Sequence, residues 1–465
     1  MLKSSVLSEF RGSELGDKRL DRRLEQIVGQ VERAPSESFP VLMATTADRE
    51  GLYRFFNNAD LSFEDLLAGH IEATAARASA FEEVRVVHDT TAFSFSGERE
   101  GLGPIQHGGS GFYGHFALAV RADESRAALG LLPFIHRETE LRRGMTRSQQ
   151  VQRCQALPRA KKESSRWKRH AIARQARLPK GVGAIHLMDQ EADDFTLLAE
   201  LHGHGLRFVV RGSGGRCTAV AGEHIREALA REPGKIFRTV RVNRRAAKRA
   251  KVNHQAAREE REVEMQIRWA ALTLPRPPSG QTELPELTVN VVHVFEPNPP
   301  EGEKAIEWYL FTGDRVDSLE DATVIVDHYR ARWVIEEYFK ALKSGCAFEK
   351  RQLCTYDALV RALAVFAPIA WRLLALRNAA DAQPDAPAEQ LLGPDGLKVL
   401  RVVLNEWRKD FGLSKNPSVE RPGGPSGGGR SRRAHPQQRR AWLASARSWL
   451  PAIRRGGGDL ACSEK

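Results

Sequence analysis

Cysteine is scarce in this chain: five in 465 residues (Cys154, Cys217, Cys346, Cys354 and Cys462), none in CxxC spacing. That excludes a disulfide scaffold and a cysteine-rich zinc module, and it suits a reducing, cytoplasmic setting. Long apolar runs are missing as well. The first residues, MLKSSVLSEFRG, lack the apolar core of a signal peptide. The best membrane candidate, about 358–376, is interrupted by Arg361, Pro368 and Arg372, so no bilayer span is expected. What the chain does have is 41% hydrophobic and 28% charged residues, a globular composition rather than a disordered one. Its length exceeds one ordinary core and predicts two or three domains.

The net charge of +12 is unevenly spread. Residues 421–465 hold nine Arg and one Lys against Asp459 and Glu464, so they carry +8 and leave +4 for the rest. A second basic run, 235–258, holds nine Lys and Arg and no acid. Such runs suit a polyanionic partner.

Residues 1–68 read as helical. LGDKRLDRRLEQIVGQVER places Leu20, Leu24, Ile27 and Val31 on one face, with Leu15-Gly16-Asp17 as turn and cap. After a loop with Pro35 and Pro40, a second helix ends in YRFFNN. Arginines on such helices either contact DNA or are merely solvated. From Val84 the texture becomes β: VRVVHD, HFALAV, ALGLLPFI, AIHLMD and RFVVR, with helices between and after the last two, predict a mixed α/β sheet. FRTVRV, EVEMQIRWAALTL, ELTVNVVHVFE and EWYLFT read as a β-rich insertion over about 235–311. Ser318-Leu-Glu-Asp321 resembles a capping box and starts a long helix to about Ser344; an apolar helix follows over 357–377.

Asp89 and Asp189 each end a strand. A carboxylate there either begins a turn or, beside a second one, shares a hard divalent cation such as Mg²⁺. The long helix supplies a third group. Tyr329, Arg332, Glu336 and Lys343 fall within about 60° of one another at 100° per residue. Val334, Ile335, Tyr338, Phe339 and Leu342 face the other way, toward a sheet. Glu336 among cations and a tyrosine makes sense as a metal ligand beside DNA phosphates. Arg332 and Lys343 would hold phosphates, and the Tyr329 hydroxyl would donate a hydrogen bond.

The spacing Tyr329-x2-Arg332-x3-Glu336-x6-Lys343, within YRARWVIEEYFKALKSG, resembles the Y-R-E-K signature of bacterial insertion-sequence DDE transposases with an RNase H-like fold. HDTT at Asp89 and MDQEAD at Asp189 resemble that family's first two catalytic blocks, with Gln190 where Arg is frequent. The resemblance spans roughly residues 9–412. It implies a triad of Asp89, Asp189 and Glu336 holding two Mg²⁺ (or Mn²⁺) for in-line displacement at phosphorus. The reactions implied are cutting at element ends and joining to target DNA, in a homodimer that holds both ends, near the nucleoid. Trp308 would stack on a flipped base, the alternative being a tryptophan in the core of the β insertion. Arg211 would contact DNA backbone or form a salt bridge at a strand end. Arg19, Arg22 and Arg23 would contact the terminal inverted repeat.

The implied division is an end-binding region over 1–68, a catalytic region over 69–377 and a C-terminal region over 378–465, helical to about 412. The last part departs from the family pattern. RSRRAHPQQRRAWL (430–443), displaced by one base, encodes A-L-G-G-H-I-R-N-N-G-E-P-G-W, which matches that pattern. The tail therefore reads as the product of a frameshift between about 411 and 430, or else as a basic DNA-binding tail. The alternative activity is that of a protein that binds element ends without cutting and inhibits transposition.

Overall fold

The computed structural model describes residues 5–105, 109–132, 134–136, 171, 175, 177–244, 248–249, 254–255, 258–276 and 286–382. Calls on the tail and on the helix beyond Ala382 lie outside the described residues.

Four helices precede the sheet. Helix α1 (Lys18–Arg33) starts where the Asp17 carboxylate accepts from Arg19 N at 2.8 Å, and it buries Leu24, Ile27, Val28 and Val31. Where a loop was expected, α2 (Phe39–Leu42) forms a short turn. Pro40 is tolerated there because its missing N–H falls in the first turn. Helix α3 (Thr46–Phe56) is capped by Thr45, and α4 (Phe63–Ala78) by a Ser62–Asp65 capping box. The expected boundary at 68 therefore falls inside α4, whose apolar face continues to Ala78.

The strands are β1 (Glu83–Phe95), β2 (Gly103–Pro104), β3 (Ser110–Arg121), β4 (Ala128–Leu131), β5 (Phe134–His136), β6 (Gly183–Met188) and β7 (Arg207–Gly212). After them come β8 (Lys235–Val242), β9 (Lys248–Arg249), β10 (His254–Gln255), β11 (Arg261–Leu274), β12 (Leu287–Phe295) and β13 (Glu307–Thr312). Helix α5 (Phe195–Gly203) links β6 to β7, and α6 (Ile225–Ala230) follows β7. Eleven strands make one sheet in the order β2-β3-β1-β6-β7-β13-β12-β11-β8, with β4 and β5 also on β3. Strands β1, β6 and β7 are parallel neighbours and the other pairs are antiparallel. This is a mixed α/β, RNase H-like sheet. The expected β insertion is no separate layer. Its strands continue the sheet through β13, which pairs with β7.

Central strands are buried on both faces, so they read as continuous apolar runs. On one face Val87, Phe93, Ile185 and Leu187 pack beneath the later helices; on the other, Val84 and Val86 meet Ala117, Ala119 and Ala184. The expected long helix is broken into α7 (Leu319–Arg330) and α8 (Trp333–Lys340), followed by a π-helical turn at Ala341–Gly345. The Ser318–Asp321 capping box is formed. At the break, Ala331 N bonds His328 O and Arg332 N bonds Tyr329 O, tightening the chain to a 3₁₀ pattern.

Helix α9 (Tyr356–Ala382) is uninterrupted despite Pro368, and it is long and apolar enough to cross a membrane. Most of it is buried against α4 and β4 instead. Trp371 Nε1 donates to Ala128 O at 3.1 Å, and Arg361 Nε donates to Leu61 O at 2.7 Å. Other bolts hold the leading helices to one another, to β4 and to the segment after α8. Arg77 grips Glu9 through both nitrogens, and His70 Nε2 accepts from Leu131 N in β4. Buried Arg351 reaches Glu37 O, Pro35 O and Cys346 O while lying over the rings of Phe39 and Phe366.

Candidate functional site

Strands β1 and β6 run side by side with Val87 opposite Leu187. Asp89 and Asp189 each stand two residues further on. The alternation of side chains puts both on the same face at the same height, on strands about 4.8 Å apart. Asp89 does not end its strand, as the sequence suggested. Strand β1 continues to Phe95 because β3 goes on pairing with it, Asp89 opposite Phe116, after β6 has stopped. Asp189 does end its strand, and its side chain accepts from Glu191 N at 3.0 Å to start a 3₁₀ turn.

Glu336 comes from α8. The break in the helix turns Arg332 toward the sheet, where Nη1 lies 3.1 Å from Asp89 Oδ2 and Nη2 lies 3.3 Å from Glu336 Oε1. One guanidinium thus bridges two of the three acids. Asp89 is 7% exposed. Burial pushes its pKa up to about 7; Arg332 opposes this, and the charges of Asp189 and Glu336 add to it. For Arg332, burial disfavours the charge, but Tyr329 and the three carboxylates outweigh it and raise the pKa. The three acids are therefore electrostatically one centre.

The donor set suits a hard divalent cation: three carboxylates stand against one guanidinium, and burial, with the two neighbouring acids, holds Asp89 back from ionising. Among the described residues, no three acid, histidine or cysteine side chains are close enough as placed to enclose an ion. Arg332 supplies the positive charge there.

The other expected residues divide. Lys343, on the π-helical turn, donates from Nζ to Ala92 O at 2.6 Å and lies 3.8 Å from Glu349, beside the far half of β1. Tyr329 was expected on an open polar face. It is buried, with its ring edge to face with Trp308 at 5.4 Å between centroids. Trp308 is itself only 9% exposed, on β13 opposite Val294, so as placed it serves the core and offers no open stacking surface. Arg211 stands on β7 opposite Leu310, one residue past the Met188–Val210 pair, so it is level with Asp189 on the strand beside β6. On α1, Arg19 is 87% exposed and folds onto Asp17, and Arg22 is exposed. Arg23 is turned inward, toward Gln26 and Asp48, and ties α1 to α3. The basic run on β8 is partly neutralised: Arg238 pairs with Asp327, Arg241 with Glu260 and Arg244 with Glu259.

Sequence reasoning missed a buried imidazole chain beneath the acids. Gln175, His186, His88, His115 and Thr90 are linked in that order across β6, β1 and β3, with His88 Nε2 2.9 Å from His186 Nδ1. Burial lowers the pKa of His186 to about 4, so its ring is neutral. The available signal was a histidine inside each strand leading to an aspartate, one residue before Asp89 in VRVVHD and three before Asp189 in AIHLMD. Asp193 was also missed; it accepts from Ser213 N at 3.0 Å and pairs with Arg216, pinning the segment after Asp189 to the end of β7.

By family model and by fold, this chain is similar to known proteins. Over residues 155–367 the chain matches the family model of the transposase DDE domain, a stretch that includes Asp189 and Glu336 but not Asp89. A solved structure titled as a synaptic complex of piggyBac transposase with hairpin DNA is similar at 10% identity, covering 90% of this chain and 85% of that one with a TM-score of 0.37. Residues 3–61 match the family model of transposase DNA-binding domains, so the match to a DNA-binding region precedes the match to a DDE domain along the chain.

Proposed function

We propose that this chain is a DDE transposase that cuts DNA at element ends and joins them to target DNA. Asp89, Asp189 and Glu336 would be its catalytic acids. The observation that carries the reading is the matched placement of Asp89 and Asp189 on parallel neighbours, with Glu336 joined to Asp89 through Arg332.

The three acids would hold the divalent metal ions that DDE domains normally use. When bound, two such ions supply an activated oxygen nucleophile and stabilise the leaving oxygen. The chain's own part is positional. Strand pairing fixes the two aspartates, and Arg332 fixes Glu336 against Asp89. Burial of Asp89 makes its ionised form dependent on added positive charge. Lys343 would exchange its bond to Ala92 O for a phosphate of the strand being cut. The exposed Arg19 and Arg22 on α1 would contact the ends of the element. The Y-R-E-K spacing supports the bacterial insertion-sequence branch, and that resemblance implies a homodimer holding two ends. We take residues 1–78 as the end-binding region, since α4 belongs with the helices before it.

The test is incubation of the purified chain with Mg²⁺ or Mn²⁺ and a duplex carrying its element's ends. Cleavage that disappears in Asp189→Ala is the expected result. Binding without cleavage by the unaltered chain would favour the inhibitor reading instead.

A further inference from the structure

Arginines gather four residues before Asp89 on the same face of β1. Buried Arg85 donates from Nε to His328 Nδ1 at 3.0 Å, and from Nη1 to Arg121 O at 3.1 Å and Asp123 O at 3.0 Å. It thereby draws the β3–β4 turn against α7. That turn carries Arg126 with φ +46°. This left-handed backbone is strained for a side chain but easy for glycine, so the guanidinium is held there at a cost.

The surroundings of Arg126 are cationic. Burial lowers its pKa, the charges of Arg330 and Arg238 lower it further, and Asp327 and Glu337 oppose them. Both acids are already engaged. Asp327 accepts from Arg238 at 2.9 and 3.1 Å and from Arg330 at 3.1 Å, while Glu337 pairs with Arg377 at 3.2 Å. Among the described residues, no carboxylate forms an ion pair with Arg126.

We propose that Arg126, Arg238 and Arg330 form a second phosphate-binding subsite, for the backbone of the DNA engaged at the acids. Arginine forks suit phosphodiester oxygens, and a single shared aspartate leaves the group with excess positive charge. Arg85, whose bonds hold that turn, stands four strand residues, about 13 Å, from Asp89, a separation close to four base steps of a duplex. The inference rests on the transposase reading for its ligand.

The test uses the full chain and a labelled duplex of unrelated sequence, with affinity measured across salt concentrations. Arg126→Gly removes the guanidinium and eases the turn. Its melting temperature should be equal or higher, its affinity about tenfold weaker, and its log–log salt slope shallower by about one. Arg126→Asn, also tolerant of left-handed backbone, should behave alike. Arg231→Gln, an exposed arginine paired with Glu223, is the control for net charge and should change little. Unchanged affinity and slope in a folded Arg126→Gly, or an equal loss in Arg231→Gln, would overturn the proposal alone. Failure of the unaltered chain to bind any duplex would overturn the transposase reading, and this inference with it.

Discussion

Asp89→Asn should stabilise the metal-free protein while abolishing its chemistry. A free aspartate titrates near 3.8, but Asp89 in the folded chain titrates at about 7. The folded state therefore binds this proton more tightly than the unfolded state does. Below pH 3.8 the group is neutral in both states and costs nothing. As pH rises from 3.8 to 7 stability falls, and above 7 the full cost is about 4 kcal/mol. Asparagine mimics the neutral acid, so the variant escapes that cost. The shift already includes Arg332, whose partnership is lost in the variant, so 4 kcal/mol is an upper figure. At pH 8 a gain of about 2 kcal/mol corresponds to a melting temperature higher by roughly 4–8 °C for a domain of this size. Thermal melts at pH 5 and pH 8, with and without Mg²⁺, are the assay. The wild type should gain from Mg²⁺ at pH 8 and the variant should not. The histidines supply a check of opposite sign. His186 and His328, both lowered to about 4 chiefly by burial, take up protons more readily in the unfolded chain. Their contribution is complete above about pH 6.5 and is lost as pH falls toward 4. Removing Asp89 should therefore leave a profile that climbs between pH 4 and 6.5. A variant that melts lower than wild type at pH 8, or a wild type indifferent to Mg²⁺ and Mn²⁺, would refute the account of this centre.

Other substitutions test separate parts of the argument. Arg332→Ala leaves Asp89 and Glu336 without their shared cation; it should cost roughly 3 kcal/mol in unfolding free energy, and cleavage should be lost. Arg332→Lys keeps the charge but cannot bridge both acids, so cleavage should fall sharply while melting changes less. Arg351→Met strands three backbone acceptors where the connection between α1 and α2 meets the segment after α8. A loss of about 3 kcal/mol is expected, with amide exchange rising first in the 34–38 segment. If exchange rises uniformly, Arg351 is no bolt.

Much of this protein was written in local pattern. The Leu24, Ile27 and Val31 stripe, the Asp17 cap and the Ser318–Asp321 box specified helix starts through contacts within one or two turns. The β-prone runs VRVVHD and AIHLMD placed both aspartates on strands, though only Asp189 at a strand end, and the resemblance carried by the Y-R-E-K spacing named Glu336 as their companion. What tertiary structure alone decided depends on partners far along the chain. Strand β1 outruns Asp89 because β3 pairs with it there, and the β insertion joins the main sheet because β13 finds β7. Tyr329 and Trp308, polar at one end and apolar in bulk, pack edge to face in the core, which their helical and strand positions alone did not reveal. Arg332 could be read as a phosphate ligand from its face of the helix, but only a break in that helix aims it at Asp89, 243 residues away. Short-range hydrogen bonds and periodicity are properties of a segment; burial, strand partnership and the pKa of a carboxylate are properties of everything packed around it.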